Sequence, residues 1–337
     1  MRTILELGGL ADPGHAVAAA AYAYAPALRL AVQQSPDGTW GRRMLTVPAA
    51  GDATFAGVGT VPAVRRLLEY GWDPDALPFH AARKALFRLL AEDADPAFLY
   101  ELREEGGDDE GAQRRGRATL REGAAAALAH LGCEADPRLR GAASRLLERV
   151  SAYVRATSTD PPDAGPSGMK PVVGAAPPSV HFLVMLAHMP RFRSEHHDEM
   201  ERLLVFLAAP PAAPTGRQSA AAKREAALLA VVGDPLGDAS TAARSLPATL
   251  AWLELLARLG FLRRSPSWSA LLDQLLVGRD LDGVWRGRAD AKAAPTRAWD
   301  WPTFPLGDPA STEGWAADVT FRLALIARLA GRRLELV

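Results

Sequence analysis

Two acids in this sequence stand in matching contexts. Asp52 lies in GDATF (Gly51 to Phe55) and Asp318 in ADVTF (Ala317 to Phe321), each carboxylate just before Thr-Phe. A carboxyl whose pKa is raised by burial can protonate a substrate, so both are candidates for general-acid chemistry. The plainer alternative is that Asp318 caps a helix or complements its dipole. The histidines point less clearly to chemistry. His196 and His197 in EHHDEM are adjacent, so on a helix they point about 100° apart. Two ligands to one metal usually stand at i and i+4 instead. With Glu195, Asp198 and Glu199 around them they read as a solvated helix start. His181 and His188 fall on roughly one face of another helix with no acid to complete a site, and read as core or cavity residues. The single cysteine, Cys133, excludes an internal disulfide and a multi-cysteine metal site. No cofactor and no metal is expected.

A repeated helix frame positions these residues. Four segments share it: TVPAVRRLLEYG (Thr60 to Gly71), SVHFLVMLAHMP (Ser179 to Pro190), TLAWLELLARLG (Thr249 to Gly260) and TFRLALIARLAG (Thr320 to Gly331). Each opens on Ser or Thr and closes on Gly or Pro at the same spacing, with apolar positions on a helical period between them. The hydroxyl is expected to cap free amides and the closing Gly to take the left-handed turn. Pro190 stops its helix by another route. REGAAAALAHLG (Arg121 to Gly132) is a looser copy without the hydroxyl. After Gly71, Gly132 and Gly260 a short turn with proline leads into a second amphipathic helix, which makes αα-hairpins. The copy that ends at Pro190 continues into Arg191 to Leu207, with a less distinct turn. Cys133 occupies the place of Trp72 and Phe261 and reads as a buried turn residue, not a reactive thiol. His15 to Gln33 is then a second-type helix without a first-type partner, and Thr320 to Gly331 the reverse. A ring closed by its own termini accounts for both, where an open solenoid would leave two apolar edges.

The stretches QSPDGTWG (Gln34 to Gly41) and DQLLVGRDLDGVWRG (Asp273 to Gly287) each follow a second-type helix. They resemble the Gln-to-Gly-x-Trp repeat of squalene–hopene cyclases and the related repeats of protein prenyltransferase β-subunits. Gln34 matches the glutamine at its usual distance, whereas Gln274 stands farther from its tryptophan. Gly38 and Gly283 can take the turn, and Trp40 and Trp285 can stack on the adjacent helix end. The resemblance implies an all-α fold, an α/α toroid formed as a single domain over residues 1–337. It also implies a ligand near the starts of the inner helices at Thr60, Ser179, Thr249 and Thr320. Asp52, His181, Trp299, Trp301, Glu313 and Asp318 are the polar and aromatic residues placed to reach it. The catalytic strings of these families are missing. There is no Asp-x-Asp-Asp acid motif and no Asp-Asp-x-x-Asp diphosphate motif, and Leu131 stands where an Asp-x-Cys zinc pair needs its acid. The expectation is therefore a binding protein for an apolar, isoprenoid-like small molecule or lipid. The alternatives are a terpenoid-cyclase-like enzyme using Asp318 or Asp52, a polysaccharide-acting toroid enzyme with paired carboxylates, and a protein-interaction scaffold.

Composition narrows the partners. Lys plus Arg and Asp plus Glu both number 39, so the formal net charge is zero and nothing suggests a nucleic-acid footprint. The apolar stretch His15 to Val32 is broken by Pro26 and Arg29 and follows Glu6 and Asp12, so it predicts neither a membrane span nor a signal peptide. A chain with one cysteine fits a reducing cytoplasm. Three segments read as insertions or connectors: the charged block Glu101 to Arg117, and the Pro- and Gly-rich stretches Thr157 to Pro178 and Ala209 to Ser219. Thr296 to Trp315 is a loop dense in aromatics, which either pack it down or line a mouth.

Overall fold

The computed structural model describes residues 7, 15–48, 54–91, 96–103, 109–159, 174–210, 230–236, 246–286 and 311–334. Asp52, Trp299 and Trp301 lie outside them. The described residues form twelve α-helices and no strand. In chain order these are α1 (His15–Ala23), α2 (Ala25–Ala31), α3 (Thr60–Glu69), α4 (Leu77–Ala91), α5 (Glu110–His130) and α6 (Pro137–Thr159). Then follow α7 (Val180–Ala187), α8 (Pro190–Glu195), α9 (His197–Ala208), α10 (Leu246–Leu259), α11 (Pro266–Val277) and α12 (Thr312–Leu329). None of the described helices is long and apolar enough to cross a membrane.

The first-type helices make a continuous row, α3 against α5, α5 against α7, α7 against α10 and α10 against α12. Of the second-type helices, α4 packs on the first-type α5 and on its second-type neighbour α6, and α9 packs on α6. Composition explains which helix sits where. α7, VHFLVMLA, is apolar nearly all round and is mostly buried between two neighbours. α5 carries the run Gly123 to Ala129, buried throughout. Its small side chains let α7 and α4 approach closely, since interaxial distance follows side-chain size.

The closing turns are as the frame predicts. Gly71, Gly260 and Gly331 take left-handed backbone, and the next amide reaches back to Leu67, Leu256 and Ala327 respectively. That bond is the Schellman arrangement, which satisfies carbonyls the helix leaves open. Cys133 lies at the matching place, half-buried, with its thiol pushed up by burial.

The opening hydroxyls behave differently from expectation. Only Ser179 caps, its Oγ accepting from the Phe182 amide. α10 begins at Leu246 and α12 at Thr312, so Thr249 and Thr320 lie inside their helices. Ser311 caps α12 instead, and Asp318 falls well past the cap. Thr60 and Thr320 use their hydroxyls to accept the amides of Trp40 and Trp285. They tie tryptophan turns to α3 and α12.

Within the charged block Glu101 to Arg117, the described residues on either side belong to helices. Asp109 caps α5, whose first turns run through Glu110 to Arg117. Glu101 lies in the last turn of a 3-10 helix (Pro96–Leu102) and directs its carboxylate onto the amides of Met44, Leu45 and Thr46. Consecutive amides that converge on one anion form a nest, and here the chain fills it with its own glutamate.

Candidate functional site

First-type helices built from these frames carry charges that a purely apolar core would not. α3 contains Arg65, Arg66 and Glu69, and α10 contains Glu254 and Arg258. Helical spacing pairs Arg65 with Glu69 (Nε to Oε1, 3.0 Å) and Arg258 with Glu254 (Nε to Oε1, 3.0 Å). The order along the chain is reversed between the two helices, Arg before Glu on α3 and Glu before Arg on α10.

These two ion pairs meet the ends of α5 and α7 in a cavity of about 50 Å³. Its polar walls are Arg65, Glu69, His130, His188, Glu254 and Arg258, with Val180, Val184, Ala251 and Leu255 between them. His130 closes α5 and His188 follows the last turn of α7. Their rings stack with centroids 4.1 Å apart and planes inclined by 25°. Burial, then His130 and Arg258, holds His188 well below the ordinary imidazole range. The imidazole is thus neutral at neutral pH and offers one donor and one acceptor. At 10–15 Å³ per water, the cavity has room for roughly three to five waters or a ligand of a few heavy atoms.

A second group of charges lies on α3 and α12. Arg66 is buried, stands 3.5 Å from Glu69, and lies over the ring of Tyr70. Burial lowers its pKa, and Arg322 of α12 adds repulsion. Burial pushes the Tyr70 hydroxyl up to about 12. Arg322 in turn holds Asp318, Nε to Oδ1 at 3.0 Å, both side chains buried.

Of the sequence-derived candidates, the described ones, His181, Glu313 and Asp318, are not among the cavity walls. Asp318 sits in its ion pair on α12, away from the cavity walls. Glu313 is exposed in the first turn of α12. His181 is adjacent to the cavity-lining Val180, and its Nε2 is buried with no hydrogen-bond partner among the described residues. Burial, then the charge of Arg65, lowers its pKa to about 4. His196 and His197 lie at the exposed start of α9, with Asp198 and Glu199 in its first turn. Among the described residues no three of His, Cys, Asp and Glu cluster as a metal site.

Sequence reasoning missed Arg65, Glu69, His130, Glu254 and Arg258. Paired charges at i and i+4 are ordinary on solvated helix faces. The signal that could have found them was their presence inside segments already read as inner helices. Compared with known proteins, the chain matches no family model, and neither a curated protein nor a solved structure matches it.

Proposed function

We propose that the protein is a small-molecule-binding ring of helical hairpins and that its ligand is small and polar. The observation that carries this is the cavity where α3, α5, α7 and α10 converge, with six titratable or charged side chains on its walls. Binding sites are concave and place a few polar groups among apolar ones, as Val180, Val184, Ala251 and Leu255 do here. One contact supports closure of the ring: Arg328 of α12 donates to the carbonyl of Leu7 near the N-terminus.

A polyisoprene chain suits this cavity poorly, because it would strip water from two ion pairs without replacing any hydrogen bond. The cyclase alternative requires an acid presented to substrate. Asp318 is instead turned to Arg322 on its own helix.

The test is thermal unfolding in the presence of two ligand panels, small polar metabolites against squalene and polyprenyl diphosphates. A ligand at a hundred times its Kd adds about 2.7 kcal/mol to stability. Stabilisation by a polar compound, abolished when Val184→Trp fills the cavity, is the expected result. Stabilisation by the isoprenoids alone would overturn it and restore the apolar reading.

A further inference from the structure

Charge arithmetic on the cavity walls narrows the ligand further. This step rests on the binding role proposed above. At neutral pH Arg65 and Arg258 contribute two positive charges and Glu69 and Glu254 two negative ones. The stacked His130 and His188 pair is the remaining titratable lining, and burial beside Arg258 keeps His188 uncharged. The four arginine and glutamate charges sum to zero, but the walls are far from featureless, because each sign is represented on both α3 and α10.

A lone anion brought here leaves two carboxylates facing unbalanced negative charge, and a lone cation does the same to two guanidiniums. Removal from water makes such like-charge contacts costly. A dipolar molecule meets neither difficulty, provided that its charged ends are a few atoms apart. Its carboxylate suits a guanidinium, which offers paired N–H donors. Its ammonium suits the glutamates and also the helix ends. Glu69, His130, His188 and Arg258 all lie in or just after the last turns of α3, α5, α7 and α10, at the negative ends of the helix dipoles. We infer that the cavity binds a small zwitterion, of the size and kind of a short amino acid.

Calorimetric titration of the full chain at pH 8 with glycine, β-alanine, acetate, methylammonium and urea tests the inference. At least one zwitterion is expected to bind about tenfold or more tighter than either single ion or urea, a factor that each 1.4 kcal/mol supplies. Removing one wall charge should then move the preference. Glu69→Gln leaves an excess positive charge and shifts selectivity toward acetate, while Arg65→Gln shifts it toward methylammonium. Glu254→Gln and Arg258→Gln repeat the pair of tests on α10, so one misfolded variant leaves the comparison intact. Tightest binding of acetate, methylammonium or urea to the unaltered protein would overturn the zwitterion and leave the polar-ligand reading standing. No binding by any of the five, with stabilisation by an isoprenoid, would overturn both.

Discussion

The chain spells Asp-Gly-x-Trp twice, and the two turns share a backbone while differing in what encloses them. In the first, the Ser35 amide bonds the Thr39 carbonyl, the Gly38 amide bonds the Ser35 carbonyl, and Asp37 accepts from the Thr39 amide. In the second, Asp280, Val284, Gly283 and Asp282 repeat these bonds position for position. Each tryptophan amide then reaches a threonine on a first-type helix, Thr60 of α3 or Thr320 of α12. The first turn is also clamped from outside. Gln34 donates to the Pro78 carbonyl in the first turn of α4, and Trp40, fully buried, donates its indole N–H to the Leu30 carbonyl. Arg279 stands where Gln34 would be, and it is exposed. Trp285 is only partly buried, its indole lying beside Gly278 at the end of α11. The same local geometry thus serves as a three-helix clasp in one place and a simple hairpin end in the other. Local sequence makes the turn, and the neighbouring helix makes it a staple.

The largest expected difference follows from burial. Trp40→Ala removes a fully enclosed indole and one hydrogen bond, and should cost about 3–5 kcal/mol. Trp285→Ala removes a half-enclosed one and should cost about 1–2 kcal/mol. Urea unfolding at constant m-value reads both. Equal losses would mean that the second turn is as tightly covered as the first, and the contrast would disappear.

How much of this was legible in the sequence depends on whether the cause was local. The helical frames were, since periodic apolar residues ended by Gly71, Gly260 and Gly331 specify both the helix and its left-handed stop. Helix starts were read less well. Thr320 lies inside α12 because its hydroxyl answers to Trp285, thirty-odd residues away, and not to its own helix end. The first turns of α5 were hidden by their charge, although Asp109 followed by Glu110 is an N-terminal signal that the block Glu101 to Arg117 contained. The cavity was the least legible part. Which face of α3 or α10 turns inward at Arg65, Glu69, Glu254 and Arg258 is set by packing against α5 and α7, and the four residues look like solvated pairs when read in order.

The glycines provide the next, smaller contrast. Both Gly38 and Gly283 have left-handed backbone, at φ 86° and 78°. Alanine there costs about 1–2 kcal/mol in strain at either site. At Gly38 an added Cβ would also stand 2.3 Å from the Ala81 carbonyl oxygen on α4. At Gly283 it meets no described atom within 4 Å. Gly38→Ala should therefore lose about 1–3 kcal/mol more than Gly283→Ala, the usual range for forced overpacking. Matching melting points for the two variants would show that α4 yields easily, so that the clasp is loose.

The smallest effect isolates the threonine ties. Thr60 is fully buried, and its Oγ1 both accepts from the Trp40 amide at 3.2 Å and donates to the Arg43 carbonyl at 3.0 Å. Replacing it by valine keeps the shape but leaves the Trp40 amide without an acceptor in a place water does not reach. That should cost about 1–3 kcal/mol, the penalty for an unsatisfied buried group. Thr320 accepts from the Trp285 amide at 2.9 Å, a shorter bond, yet the threonine is only half-buried. Water can replace the lost partner there, and Thr320→Val should cost about 0.5–1 kcal/mol. Bond length alone would rank the two ties in the opposite order. Hydrogen exchange at the two tryptophan amides separates the explanations. The Trp40 amide should stay slow in the unaltered protein and quicken strongly in Thr60→Val, whereas the Trp285 amide should already be fast and change little in Thr320→Val. A slow Trp285 amide that becomes fast on losing Thr320 would place the second tie in a closed environment and make enclosure, like the turn itself, common to both copies.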